Sequence, residues 1–372
     1  MFDQLQIPKE LLPLDGRFGC GPSLVRTEFV EALAKDAKGY LGTSHRQATV
    51  KNKVGQVFEK LKNYLEVPAD YKIAAGNGSA SQVWDMTTFS LVEKKAAHFI
   101  NGEFSQKWAA STKDSKFVQA HEVKVGNGEQ PKWQEFADCD MHAITWNETS
   151  TGAMWSDCPR AEKSLLAVDA TSAAGAYTWD MSKTDLFYFS PQKAFGSEGG
   201  LWFGFFSPKA VAQVERVKKT GRYIPAMLDF TQALKNGESN QTYNTPSLTT
   251  FYLLDKQLDW FLNKGGIKAI AKEADEKFNV LNEWVGRRSE LEWYVKDANA
   301  RSKTVCTINI DKTIPYDALT KHLRKFGFLD IDCYRNLGEN QIRVSIFPNV
   351  AKDDLVKLTK AVDYCLDNRK KA

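Results

Sequence analysis

The stretch FYFSPQKAFGSEGG, residues 187–200, carries one lysine, Lys193, just past an apolar run and a proline. A primary amine at the tip of a buried strand can add to a carbonyl and form an imine. Asp169 ends a second apolar run, SLLAVD, and Ala170-Thr171-Ser172 follow it. A carboxylate there costs solvation unless something cationic pairs with it, and a protonated ring nitrogen is such a partner. The turn Gly76-Asn77-Gly78-Ser79-Ala80-Ser81 separates a strand from a helix start. Its small residues let backbone N–H groups face an anion, with the helix dipole adding to the attraction. Each signal alone has a plain reading: a solvated lysine, a loop-capping aspartate, a tight turn that fits neither Walker nor dinucleotide spacing. Asn147-Glu148-Thr149-Ser150-Thr151-Gly152, after MHAITW, taken singly is a turn as well.

The elements that carry these residues decide between the readings. Val50, Val54, Val57, Leu61 and Leu65 share one helix face. YKIAA, AHFIN, MHAITW, SLLAVD, DLFYFS and GLWFGFF are brief apolar runs, as suits strands buried on both faces, and helices alternate with them. That alternation predicts an α/β fold with a mostly parallel sheet and right-handed crossovers. Parallel sheets bind ligands beyond the carboxyl ends of their strands. Asp169 and Lys193 are one crossover and one strand apart, so both reach the same sheet edge on neighbouring strands. An amine, a carboxylate and an anion-binding turn at one edge match the needs of pyridoxal phosphate. The lysine forms the imine, the carboxylate keeps the pyridine nitrogen protonated, and the turn holds the phosphate.

The pattern changes after about residue 255. A helical region covers roughly 248–287, followed by the strand TVCTINI, the helix DALTKHLRKF and the strand QIRVSIF. In the last strand Ile342, Val344 and Ile346 share one face and Arg343 and Ser345 the other. A closing helix is opened by Asp353 and Asp354 and ended by Arg369, Lys370 and Lys371, in keeping with its dipole. The expected organisation is a large domain over 16–255 and a small α+β domain over 256–372, with residues 1–15 packing on the latter.

The bulk numbers exclude other classes. The 372 residues are 42% apolar and 26% charged, with a net charge of +4. Basic and acidic residues are interspersed, which argues against a nucleic-acid partner. No stretch nears the ~20 apolar residues of a membrane span. The N-terminal stretch mixes acidic and basic residues with proline, unlike a signal peptide. Six scattered cysteines without a CxxC pair suit reduced thiols in a cytoplasmic protein, and five histidines without ligand spacing predict no metal site.

Taken in order along the chain, FGCGPS at 18–23, GTSHRQ at 42–47, NGSAS at 77–81, NGEFSQKW at 101–108, NET at 147–149, VDATS at 168–172, SPQK at 190–193, YNTP at 243–246 and NQIRVSIFP at 340–348 resemble the phosphoserine aminotransferases. These are fold-type I, class V pyridoxal-phosphate enzymes, and the chain looks most like their actinobacterial variant. The resemblance implies transamination of 3-phosphohydroxypyruvate with L-glutamate, giving O-phospho-L-serine and 2-oxoglutarate for L-serine biosynthesis. It makes Lys193 the Schiff-base lysine and Asp169 the partner of the pyridine nitrogen. Thr149 and Gln192 fall to the ring-hydroxyl and phosphate regions, the backbone N–H groups of Ser79 and Ala80 to the phosphate, and Phe104 to the ring face. Asn244 and Thr245 would reach the cofactor phosphate of a neighbouring subunit, which implies a homodimer. Arg343 would clamp the substrate α-carboxylate, and His45 and Arg46 from the partner subunit would face the distal anion, with Arg335 as a further ligand.

Three positions depart from better-known members. Ala80, Phe104 and Asn336 stand where many carry arginine, tryptophan and histidine. The change at Ala80 leaves the cofactor phosphate more dependent on backbone donors, and that at Asn336 alters the grip on the distal anion. Rival readings are a cysteine desulfurase or lyase of the same fold, which typically has histidine where Gln192 stands. Others are an alanine–glyoxylate type transaminase, without need of the SHR segment, and a non-catalytic binding protein on this fold.

Overall fold

A computed structural model describes residues 1–2 and 4–369. Lys370 and Lys371 lie outside the described residues. The elements run α1 (Thr27–Tyr40), α2 (Ala48–Tyr64), β1 (Lys72–Asn77), α3 (Ala80–Ser90), β2 (Lys95–Ile100), α4 (Glu103–Asp114) and β3 (Gln119–Lys124). Then come β4 (Met141–Thr145), the short β5 (Asn147–Glu148) and β6 (Ala153–Met154), β7 (Leu165–Asp169), β8 (Leu186–Phe189) and β9 (Leu201–Phe206). Helices α5 (Pro208–Lys219), α6 (Phe230–Gly237), α7 (Leu248–Asn263) and α8 (Gly266–Arg287) lead to β10 (Leu291–Trp293), β11 (Val305–Ile310), α9 (Tyr316–Arg324), β12 (Gln341–Ser345) and α10 (Lys352–Asn368).

A seven-stranded sheet has the order β1-β9-β8-β7-β4-β2-β3. Strands β3, β2, β4, β7 and β8 run parallel, whereas β9 is antiparallel to both β8 and β1. The reversal at β9 follows from its connection: the loop 190–200 turns the chain straight back beside β8 instead of crossing over a face. Alternation in β7 sends Leu166 and Val168 to one core and Leu165 and Ala167 to the other. Both faces are thus covered, and β4, β7, β8 and β9 are buried at every position.

The helical region expected over roughly 248–287 consists of α7 and α8. Gly265 and Gly266 adopt φ of +102° and +76°, a left-handed bend that residues with a Cβ resist. Position 255 lies inside α7. Asp255 there receives Lys53 and Lys60 of α2, each at 2.5 Å, which binds α7 to the first core.

A second, antiparallel sheet has the order β10-β11-β12 and packs under α8, α9 and α10. Ile342, Val344 and Ile346 enter its core, and Phe2 and Ile7 join from the N-terminus. Asp354 of α10 accepts from the backbone N–H groups of Leu14 and Asp15 at 2.7 and 3.1 Å. Helix α8 serves both cores: Ile267 and Ile270 belong to the first, Phe278, Leu281, Trp284 and Val285 to the second. Between them the buried Lys277 donates to the carbonyls of Phe347 and Pro348 at 3.0 and 3.3 Å, just past β12. Burial pushes this ammonium down to about 8.

Candidate active site

The loops beyond β1, β2, β4, β7 and β8 meet at one sheet edge, where parallel strands all present their carboxyl ends. One cavity there is lined by Ser79, Ala80, Phe104, Thr149, Asp169, Gln192 and Lys193, seven of the residues singled out from sequence.

Lys193 is 9% exposed. Its Nζ donates to Thr149 Oγ1 at 2.8 Å and stands 4.6 Å from the centre of the Phe104 ring. Burial pushes the amine down to about 8, against the opposing pull of the Asp169 and Glu148 charges. The loop that carries it is backed by residues 18–23. Ser23 donates through its backbone N–H to Gln192 O at 2.8 Å and through Oγ to Lys193 O at 2.6 Å. Gly21, at φ +135°, lies so close that a Cβ there would stand 2.9 Å from Lys193 Cε. Phe18, five residues before Ser23, accepts at its carbonyl from Ser345 N at the end of β12, at 3.0 Å.

Asp169 is 4% exposed and accepts three hydrogen bonds. Trp84 Nε1 donates to Oδ2 at 3.0 Å, and Thr171 donates to Oδ1 through N–H at 3.0 Å and Oγ1 at 2.6 Å. In the sequence Trp84 is one of ten tryptophans, a residue type that reads first as packing. Its place on α3, one turn past the glycine turn, gives it a polar duty that nothing in its local sequence announces.

Glu148 is a second residue that sequence reasoning left without a role. Fully buried, it accepts from Phe104 N at 3.2 Å, Ser105 N and Oγ both at 2.9 Å, Ser150 N at 3.2 Å and Ser150 Oγ at 2.6 Å. A carboxylate at the open N–H groups of a helix start is favourable. Here it ties α4 to the loop beyond β4 and fixes Phe104 over Lys193.

Arg343 arrives from the other sheet. Its Nη1 donates to Thr149 O at 3.0 Å, and its guanidinium lies 5.1 Å from the Tyr334 ring centre. Its Nε is buried without a hydrogen-bond partner. The Tyr334 ring in turn lies 6.0 Å from Phe104, tilted by 59°. Arg335, next on the same loop, is exposed, and its charge acts on Glu103, Lys107 and Tyr334. Asn336 Nδ2 donates to Glu103 Oε1 at 3.0 Å. Lys107, also 3.0 Å from that oxygen, is the main reason that the Glu103 carboxyl sits below its usual range.

Six of the expected residues do not line this cavity: Arg343 and Arg335, placed beside it as described, and four that lie farther away. His45, Arg46 and Thr245 line a separate surface groove, with Thr245 Oγ1 3.1 Å from His45 Nδ1. Partial burial, and then the Arg46 charge, lower the His45 imidazole. Asn244 is exposed and its Nδ2 meets Met227 Sδ at 3.0 Å. The groove is linked to the end of β1 through Asn77 Nδ2, which donates to Thr245 O at 2.6 Å.

The cavity wall also holds buried polar atoms without partners: Thr145 Oγ1, Asn147 Oδ1 and Gln192 Oε1. Such atoms are uncommon in folded proteins and call for an occupant. With an amine and a carboxylate on the same wall and a helix N-terminus at its rim, they fit a polar aromatic group bearing a phosphate.

The family described as Aminotransferase class-V matches residues 20–327. A phosphoserine aminotransferase of Corynebacterium glutamicum is 41% identical over 370 residues, covering 99% of this chain and 98% of the relative. A putative phosphoserine aminotransferase of Mycolicibacterium vanbaalenii is 42% identical over 372 residues, with 99% and 100% covered. Among solved structures, a phosphoserine aminotransferase from Cytophaga hutchinsonii superposes with a TM-score of 0.87 at 24% identity, over 94% of this chain and 99% of that one. An alanine–glyoxylate aminotransferase from Nostoc superposes with a TM-score of 0.80 at 19% identity, over 98% and 97%.

Proposed function

The chain belongs to the class-V aminotransferase family, and from that premise we propose that it moves the amino group of L-glutamate to 3-phosphohydroxypyruvate. The products are 2-oxoglutarate and O-phospho-L-serine, the precursor of L-serine. The observation that carries this reading is the meeting of Lys193 and Asp169 on one cavity wall, in a chain 41% identical to a phosphoserine aminotransferase. The cofactor is pyridoxal 5′-phosphate, which when bound supplies a carbonyl for an amine to join and a ring that takes up the electron pair left on the substrate carbon.

The chain's own groups divide the remaining work. Lys193 Nζ would hold the cofactor at its carbonyl carbon and, once freed, would take the proton from the substrate Cα, a task suited to an amine that burial has made readily deprotonated. Asp169, held by Trp84 and Thr171, would keep a positive charge on the ring nitrogen. Thr149 orients the lysine. Ser79 and Ala80, at the start of α3, offer N–H groups to the phosphate, and Gln192 and Phe104 complete the seat. Arg343 takes the substrate α-carboxylate through its free edge.

The active unit in this proposal is a homodimer in the cytoplasm. His45 and Arg46 of the partner subunit would meet the distal anion, with Arg335 beside them, and Asn244 and Thr245 of the partner subunit would meet the cofactor phosphate. The surface supports it: Leu41 beside His45, and Met227 and Tyr243 beside Asn244, leave 38–43% of their area exposed. The division into 16–255 and 256–372, with 1–15 packed on the smaller unit, belongs to the same proposal, α8 forming the join.

The test is a steady-state assay with glutamate and a panel of phosphorylated and plain keto acids. Phosphohydroxypyruvate should be the preferred acceptor. Lys193→Ala should lose transamination and the visible absorbance of cofactor joined to the lysine. Preference for glyoxylate, or an unchanged rate in Lys193→Ala, would refute the assignment.

A further inference from the structure

Among the described residues the Arg343 guanidinium has one hydrogen bond and a buried Nε without a partner. A guanidinium so loosely tethered needs another constraint if both its N–H groups are to face a carboxylate. The constraint on the page is an aromatic ring. Tyr334 lies under the guanidinium at 5.1 Å and against Phe104 at 6.0 Å. Phe104 in turn carries Lys193 Nζ at 4.6 Å. Two cations and two rings thus form one continuous line of contacts, with the rings tilted by 59° to each other. Burial raises the Tyr334 hydroxyl above its ordinary range, so the ring stays neutral and its face electron-rich. The loop that carries Tyr334 is pinned to α4 through Asn336 and Glu103.

We propose that Tyr334 is a positioning residue for the carboxylate clamp. Its ring face orients the Arg343 guanidinium and couples it to the Phe104 wall, so that substrate is gripped in register with Lys193. The inference rests on the transaminase reading above. It assigns the ring face, and not the hydroxyl, the positioning role.

Two variants and two readouts test it. Tyr334→Phe keeps the face, and its constants should stay within twofold of wild type. Tyr334→Leu keeps apolar contact with Phe104 but removes the face. Its KM for glutamate and for the keto acid should rise roughly 3- to 30-fold, with kcat within about twofold. The dissociation constant of glutarate, a dicarboxylate without an amine, should weaken by the same factor in calorimetric titration of the holoenzyme. The proposal is overturned if Tyr334→Leu binds glutarate as wild type does, if its kcat falls as far as its KM rises, or if Tyr334→Phe behaves like Tyr334→Leu. An inactive wild-type enzyme would instead sink the transaminase reading, while the glutarate titration would still judge Tyr334.

Discussion

At the scale of single residues, burial does the chemical tuning. Lys193 titrates near 8 because water is withheld from its ammonium form. In the apoprotein the rate of cofactor incorporation should therefore rise with pH and level off above about pH 8. An exposed lysine would keep gaining up to its ordinary value of 10.5. Stopped-flow absorbance against pH checks this, and a rate still climbing at pH 10 would contradict it. Lys193 and Asp169 were legible in the sequence because Asp169 ends an apolar run and Lys193 lies just past one, and strand ends are where parallel sheets expose polar groups. Trp84 and Glu148 were not. An indole among ten tryptophans reads as packing, and Glu148 finds its donors on a helix some 44 positions upstream. Such partners exist only once the sheet has brought two loops together.

At the scale of elements, α4 shows how a helix start is set by a distant side chain. The Glu148 carboxylate satisfies the N–H groups of Phe104 and Ser105, and Gly102 leaves it room, since a Cβ there would stand 2.3 Å from Glu148 Cγ. Glu148→Ala leaves those buried donors open and should cost about 2 to 4 kcal/mol of stability. It should also weaken cofactor retention by loosening Phe104. Denaturant titration and dialysis against buffer measure the two effects, and a loss under 1 kcal/mol would contradict the first. Most strands and helices could be read from their periodicity. The direction of β9 could not, because LWFGFF has the same apolar pattern whichever way it runs. The break between α7 and α8 was signalled by Gly265-Gly266, but a pair of glycines in a helical pattern also occurs without a break.

At the scale of the whole molecule, α8 runs from one core into the other and carries a buried cation between them. Lys277 holds the segment after β12 to α8, and its ammonium titrates near 8 in the folded protein instead of 10.5. Between those values the unfolded chain binds the proton and the folded chain does not, so stability rises with pH across that window and the gain is lost as pH falls back through 8. The gain is about 3 kcal/mol. Urea titrations at pH 7.5 and 10 should show a smaller rise in Lys277→Met than in wild type by roughly that amount; equal rises would refute it. Because α8 feeds both cores, both should also melt in a single transition. The joining of the Arg343 strand to the Thr149 loop was beyond sequence reasoning: nearly 200 positions separate the two, and no local pattern encodes the contact.

Residues 18–23 touch the end of β12 through Phe18 and the lysine loop through Gly21 and Ser23. They act as a short rein on both the carboxylate grip and the reactive amine. Proteolytic trimming past Ser23 would release both hands at once without removing a single polar side chain that lines the cavity. The same trimming takes Phe2, Ile7 and Phe18 from the second core, so a clipped preparation should lose stability together with activity.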